Sequence, residues 1–416
     1  MRARTLVAVA FLALTATSLA QVRTQWSGSV SLRTGLEATG AFTSAGAEAR
    51  LLLDGEMGSA FVPTATFRAE LRADADAATG AASIDLGDAW GRLYLADGDV
   101  ELTVGRQRPT WGSTDGVNPV DRLTPRDLSV PVDATKVSVP MLHMRSYLDH
   151  DLQLEFALLP VFVPSVPPGE AWRSEPAMPT PRPGMSVREV LPADIRTPEA
   201  ALENLQAGVR AQWRPPGFDV AVTYQYLFRD LPTTWVAVHP TDVPGEVTVQ
   251  AVARYDRIHL LGVDGSTAIG DVVVRVEAAY LITGDPDGTD PTVGNHAFQA
   301  VAGFETPIPD GPRVIAQVIL DGERRDAGPG DERGDMGLSL RSMLVARLDL
   351  DARTKVDAAW VHDFDGSGSL RPSVTHTFAD GVTGALEGLI VYGGDGTRFG
   401  DWRERSGLEA SLAFAF

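Results

Sequence analysis

Leu205-Gln206-Ala207-Gly208-Val209-Arg210-Ala211-Gln212-Trp213 alternates without a break, apolar at the odd positions and polar or small at the even ones. A repeat of two belongs to a β-strand with one apolar face, because successive side chains point to opposite sides; a helix repeats near every 3.6 residues. The rhythm returns at Val220, Val222, Tyr224, Tyr226 and Phe228, and again at Val272, Val274, Val276, Ala278 and Tyr280. It marks Val314, Ala316, Val318 and Leu320, and it ends the chain at Leu408, Ala410, Leu412, Phe414 and Phe416. The one helix the pattern admits is a short one around Pro198 to Leu205, inside a loop.

Between these runs, short connections alternate with long ones. Tight turns fall at 96–99, 148–151, 214–217, 309–312, 348–351 and 378–381, each rich in Asp, Gly or Pro. Long polar loops fall near 109–136, 164–203, 229–246, 284–295, 323–335 and 394–405. Short turns on one side and long loops on the other are the habit of an outer-membrane barrel, and a soluble sandwich has no reason for it. The reading is all-β: a transmembrane antiparallel up-and-down β-barrel of about 18 strands, with 16 as the fallback. An even count returns both termini to the side of the short turns. Tyr224, Tyr226, Phe228, Tyr280, Trp360, Tyr392, Phe414 and Phe416 mostly sit near strand ends, where aromatic girdles meet a membrane interface. A C-terminal strand ending in Phe416 resembles those that outer-membrane barrels present to the barrel-assembly machinery.

The first twenty residues read as an export signal. Arg2 and Arg4 precede an uncharged run from Leu6 to Leu14, and Ser18-Leu19-Ala20 places small residues for cleavage before Gln21. The run is too short for a permanent transmembrane helix. Residues 21–416 then form the barrel, and the protein belongs in a bacterial outer membrane, facing lipid and lipopolysaccharide. Length alone, 416 residues, suggests two or three soluble domains. A barrel grows around a lumen, so a single domain of that size is consistent, and 41 Gly and 28 Pro suit its many connections. The chain has no Cys, which removes disulfides, thiolate metal sites and thiol nucleophiles. A net charge of −19 argues against nucleic acid as a partner.

If the apolar positions face lipid, the intervening ones face the lumen, since a charge on the lipid side costs about 2–4 kcal/mol near the midplane. The inward set includes Arg68, Glu70, Arg72, Arg92, Glu155, Arg210, Arg275, Glu277, Arg341 and Arg347. Individually these charges read first as pairs that stiffen the wall across neighbouring strands; together they predict a polar, water-lined interior. About 16–18 strands leave room for an aqueous channel. An infolded loop would narrow it, and the stiff segment from Pro164 through Pro183 reads equally as such a loop or as a surface polyproline stretch.

The densest motif is Val104-Gly-Arg-Gln-Arg-Pro-Thr-Trp-Gly112, followed by Asn118-Pro-Val-Asp121 and Thr124-Pro-Arg-Asp127. Gly105 and Gly112 permit tight backbone turns. Arg106 and Arg126 beside Asp115, Asp121 and Asp127 suit bidentate pairs that would pin the loop. Arg106, Trp111, Asn118 and Asp121 therefore read as loop-fixing first and solute-contacting second. Over some 25 residues this motif resembles poorly characterised Gram-negative outer-membrane proteins of the porin type. That resemblance implies an outer-membrane barrel and solute passage, and brings no catalytic residues with it.

Acidic clusters at Asp285–Asp290, Asp331–Asp335 and Asp363–Gly366 read as solvated turns ahead of cation sites, for none has the full spacing of a calcium loop. The seven His show no ligand spacing, and the local motifs of hydrolases and nucleotide binders are missing. No metal, cofactor or catalytic residue is assigned. The function read from the chain is a porin-like channel for passive diffusion of small polar solutes, without enzymatic activity. The alternative is a closed barrel acting as a lipid-modifying enzyme or a surface structural protein. Patterning in one chain leaves open whether the outer face meets lipid alone or a second copy in a homo-oligomer.

Overall fold

The computed structural model describes residues 21–416 apart from 40–41, 59–62, 78–79, 170–171, 173–185, 310 and 329–332. The signal segment and most of the Pro-rich stretch lie outside the described residues. The chain begins with β1 (Gln21–Glu37), β2 (Phe42–Gly58), β3 (Pro63–Asp76), β4 (Ala81–Leu95) and β5 (Val100–Gln107). A long excursion carrying the two-residue strands β6 (Arg126–Asp127) and β7 (Thr135–Lys136) leads into β8 (Val139–Tyr147) and β9 (Leu152–Leu159). A second excursion holds β10 (Ser186–Arg196), before β11 (Gln206–Trp213) and β12 (Phe218–Phe228). A third holds β13 (Thr233–Pro240) and β14 (Glu246–Arg254), before β15 (Arg257–Ile269) and β16 (Val272–Ile282). The wall continues through β17 (Ala297–Pro307), β18 (Arg313–Arg324), β19 (Met336–Asp349) and β20 (Thr354–Asp363). It ends with β21 (Ser367–Ala379), β22 (Val382–Tyr392) and β23 (Gly407–Ala415).

Eighteen of these strands form one antiparallel sheet that closes on itself. Closure joins the last strand to the first, from Ser29 opposite Ala415 to Glu37 opposite Gly407. The main chains of Gly28 and Phe416 exchange two hydrogen bonds of 3.0 Å at the seam. Closure leaves no strand edge unpaired, which is what lets a sheet sit in lipid.

Alternation explains the faces. In β9, Gln153, Glu155, Ala157 and Leu159 are buried while Leu152, Leu154, Phe156 and Leu158 are not. Val209, Trp213, Val222, Leu261, Val263, Val276, Phe304 and Val318 are all exposed on the outside. So broad an apolar outer surface is untenable in water and natural in hydrocarbon. Both termini of the described barrel lie on the rim of short turns. On the opposite rim the long connections collect, though three there stay short, at 38–41, 77–80 and 364–366.

The loops expected at 164–203 and 229–246 hold strands instead. β10 pairs parallel with β14, and β13 antiparallel with β14, as a separate three-stranded sheet. Their pattern is broken by Pro192 and register slips within β10, so neither period nor turn chemistry exposes them to a reading by twos. The short helix expected near Pro198–Leu205 is a single 3-10 turn, Leu202–Asn204.

Candidate functional site: an infolded loop and a lined lumen

The excursion between β5 and β8 turns into the barrel. Gly105 and Gly112 bend its entry, with φ of 129° and 101°, backbone that a side chain would strain. Beyond them Trp111 is 1% exposed and belongs to an apolar cluster with Val120 and Leu123 from the loop. The cluster's other members, among them Met141, Ala157, Leu227, Leu260 and Ala279, point inward from the wall. The wall receives the loop in two hollows. A Cβ at Gly208 would come within 2.9 Å of the Trp111 ring, and one at Gly262 within 2.4 Å of Val120.

Polar anchors complete the seal. The Glu277 carboxylate in β16 accepts from the backbone N–H of Ser113 (3.1 Å), Thr114 (3.3 Å) and Val120 (2.8 Å), and from the Thr114 hydroxyl (2.9 Å). Buried polar groups need such partners, and here one inward carboxylate satisfies several loop donors at once. Trp111 Nε1 donates to Glu155 at 3.1 Å, and Glu155 also takes bonds from Gln153 (2.8 Å) and Arg145 (3.4 Å) and bonds His143 at 2.9 Å. Gln225 Nε2 donates to the Val120 carbonyl at 2.6 Å. Asp121 accepts from the Trp111 N–H and pairs with Lys136 at 2.5 Å. Burial, the dominant influence, holds the Lys136 ammonium below the usual lysine range, although Asp121 pulls the other way. Asn118 packs against Gly112 with its Oδ1 buried. Farther across, Asp115 pairs with Arg275 at 3.1 Å, and Arg371 in β21 donates to the Val132 carbonyl at 2.8 Å.

The pairs expected between Arg106 or Arg126 and the loop aspartates do not form. Asp121 goes to Lys136 and Asp115 to Arg275, while Asp127 caps the Ser129 N–H at 2.9 Å. Arg106 falls on the outward register beside Val104 and donates to the Gly87 carbonyl at 3.4 Å. Its neighbour Arg108 takes the loop-fixing place, on Glu70 at 3.2 Å and Asp88 at 3.4 Å.

The remaining inward charges are paired along the wall. Glu70 is buried between Arg72 (2.6 Å) and Arg108. Arg92 bonds Thr103 at 3.0 Å, lies 3.5 Å from Glu101 and stands over the Trp90 ring. Arg210 grips Asp264 with two bonds of 2.5 and 2.9 Å. Arg275 also holds Glu305 at 2.8 Å, Arg341 holds Asp321 at 2.5 Å, and Arg347 lies 4.0 Å from Asp357. Arg68 grips Asp54 at 2.7 and 3.1 Å. Burial divides this list. From β8 to β16 the inward polar groups are buried under the loop; along β2, β3 and β19–β22, Arg50, Asp54, Arg68, Arg347 and Glu387 keep much of their surface in water. The lumen is therefore filled on one side and wet on the other.

Sequence reading missed Lys136, His143, Gly208 and Gly262 as parts of this arrangement. Gly208 already stood on the inward register, but the Trp111 that fills it lies nearly a hundred residues away, and Gly262 falls outside the runs read by twos. No cluster of His, Asp or Glu with metal-site geometry occurs among the described residues.

A closed antiparallel barrel of eighteen strands, apolar outside and charged inside with a loop folded into its lumen, defines a porin-like barrel protein. The chain belongs to the family described as Protein of unknown function (DUF1302), which matches residues 56–337. No curated protein matches it. Among solved structures it is similar to OccK5 (OpdH) of Pseudomonas aeruginosa, with a TM-score of 0.53 and 10% identity over 94% of this chain and 97% of that one. Salmonella typhi OmpF in complex with daunomycin aligns with a TM-score of 0.47 and 11% identity, covering 94% and 97% of the two chains. At such identities the likeness concerns the fold alone.

Proposed function

We propose that this protein is an outer-membrane channel through which small polar solutes diffuse passively, without chemistry or cofactor. The observation that carries this reading is the uneven lumen: a loop sealed against one wall, and beside it a set of inward charges that remain solvated inside the barrel. A structural barrel has no need of solvated charges there, whereas a conduit must keep its walls hydrated while restricting its width. In this reading the segment 1–20 is the export signal and Phe416 ends the strand that the assembly machinery engages. The apolar outer band faces lipid, with lipopolysaccharide on the long-loop side. Purified full-length protein in planar bilayers of phospholipid should give stepwise KCl conductance. Silence across voltages, with the barrel folded, would remove the proposal.

A further inference from the structure

At the long-loop mouth a cavity of about 780 Å³ opens between the infolded loop and the ends of β12 and β15–β19. Part of its lining is apolar, made by Phe228, Leu231, Ile258 and Leu281; with it stand five arginines and four acids. The acids are all engaged. Asp321 is held by Arg341 (2.5 Å), Glu323 by Arg229 (3.2 Å), Asp326 by Asn295 (2.8 Å) and Asp230 by the Ser165 hydroxyl (2.7 Å). Of the arginines, Arg229 is used in that way and Arg398 lies 3.5 Å from Asp363. Arg122, on the infolded loop, Arg324, at the end of β18, and its neighbour Arg325 pair with no carboxylate among the described residues, and in Arg122 and Arg324 the Nε is buried without an acceptor. Arg324 spends only one Nη on the Gly334 carbonyl. Burial first, and then Arg341, hold the Arg398 guanidinium below the ordinary arginine range, while Asp321 and Asp363 pull the other way.

A buried guanidinium nitrogen left without an acceptor is costly, and a carboxylate is its best-fitting partner because two oxygens match two N–H groups. The apolar part of the lining asks for something different, a hydrocarbon or aromatic body that leaves water. We propose that this mouth cavity binds small solutes built from an apolar body and a carboxylate, the carboxylate resting on Arg122 and Arg324. This deepens the channel reading by naming a solute class and a recruiting site at the entrance.

The test is a ligand-detected NMR titration on the full-length barrel in detergent, folding checked by its heat-modifiable mobility. The probes are benzoate, its uncharged counterpart benzamide, and inorganic phosphate. Benzoate should bind at least about tenfold more tightly than benzamide, the span expected when one charge-assisted bond is lost. Arg122→Gln should cost about the same factor, Arg122→Lys less, Arg324→Gln should weaken it too, and Arg188→Gln on the outer sheet should change nothing. Equal binding of benzoate and benzamide, phosphate binding as tight as benzoate, or full affinity in both Gln variants would overturn the assignment. Bilayer conductance separates the two claims. Benzoate binding with a silent bilayer defeats the channel and keeps the cavity; conductance without benzoate binding does the reverse.

Discussion

Two Arg–Asp pairs inside this barrel have the same chemistry and opposite surroundings. Arg210 and Asp264, beneath the infolded loop, are 4% and 3% exposed; Arg68 and Asp54, on the far wall, are 38% and 40% exposed. Each pair is bidentate, with bonds between 2.5 and 3.1 Å. The difference lies in what water can do when one partner leaves. On the sealed side it cannot reach the survivor, so the pair acts as structure. On the wet side it can, so the pair adds little to stability and its charges are free to act on passing ions.

The hardest blow to this contrast is to unseal the sealed side. Replacing Gly112–Val120 with a short Gly/Ser bridge removes the Glu277 anchors and the part of the apolar cluster that Val120 supplies. Because the loop and not the wall narrows that half, single-channel conductance should rise at least about twofold, towards that of an unobstructed barrel of this strand number. An unchanged conductance would mean that solutes never pass the loop's side and that the wet wall alone sets the current.

Asp264→Ala comes next. It strands the Arg210 guanidinium in a dry place, for which about 3–5 kcal/mol is the usual cost. Urea unfolding in lipid vesicles, followed by tryptophan fluorescence, should show the loss. A change below about 1 kcal/mol would show that water does reach the sealed wall. Glu277→Ala follows at about 2 kcal/mol, since three loop N–H groups lose their acceptor while the wall itself keeps its ladder. Its sign should be local: faster proteolysis between Ser113 and Arg126 and a flickering current, with the barrel's melting little changed. Glu277→Gln, keeping one acceptor oxygen, should fall between.

These contrasts were only half legible in the sequence. Period two placed Arg210, Glu277 and Arg68 on the inner face, and turn chemistry placed the long loops on one rim. Both are local signals. Nothing local distinguishes Arg210 from Arg68, because their difference comes from a loop that starts near residue 108 and lands on β16. The same blindness sent the loop-fixing role to Arg106, although β5 ends at Gln107 and it is Arg108, just beyond the strand, that reaches Glu70 and Asp88. It also favoured the Pro-rich segment as the infolded one on equal terms with a surface stretch, while Trp111 and Val120 found their seats at Gly208 and Gly262. Glycine on an inward register was the one clue, and without the fold it reads as any strand glycine.

Smallest in stability, and most telling for function, is Asp54→Ala. Arg68 is left beside Trp90 with more than a third of its surface in water, so the fold should lose less than about 1 kcal/mol. The charge balance of the wet wall nevertheless moves by one unit, and Arg68 loses its paired carboxylate, with only the more distant charges of Asp88 and Glu70 left to act on it. Under a KCl gradient the reversal potential should shift towards chloride, and the shift should shrink at high salt as screening shortens the reach of the charge. Asp264→Ala makes the same change in formal charge behind the loop, where no ion passes, and should leave the reversal potential where it was. Should the two variants shift selectivity equally, the division of the lumen into a sealed and a conducting side fails, whatever their stabilities.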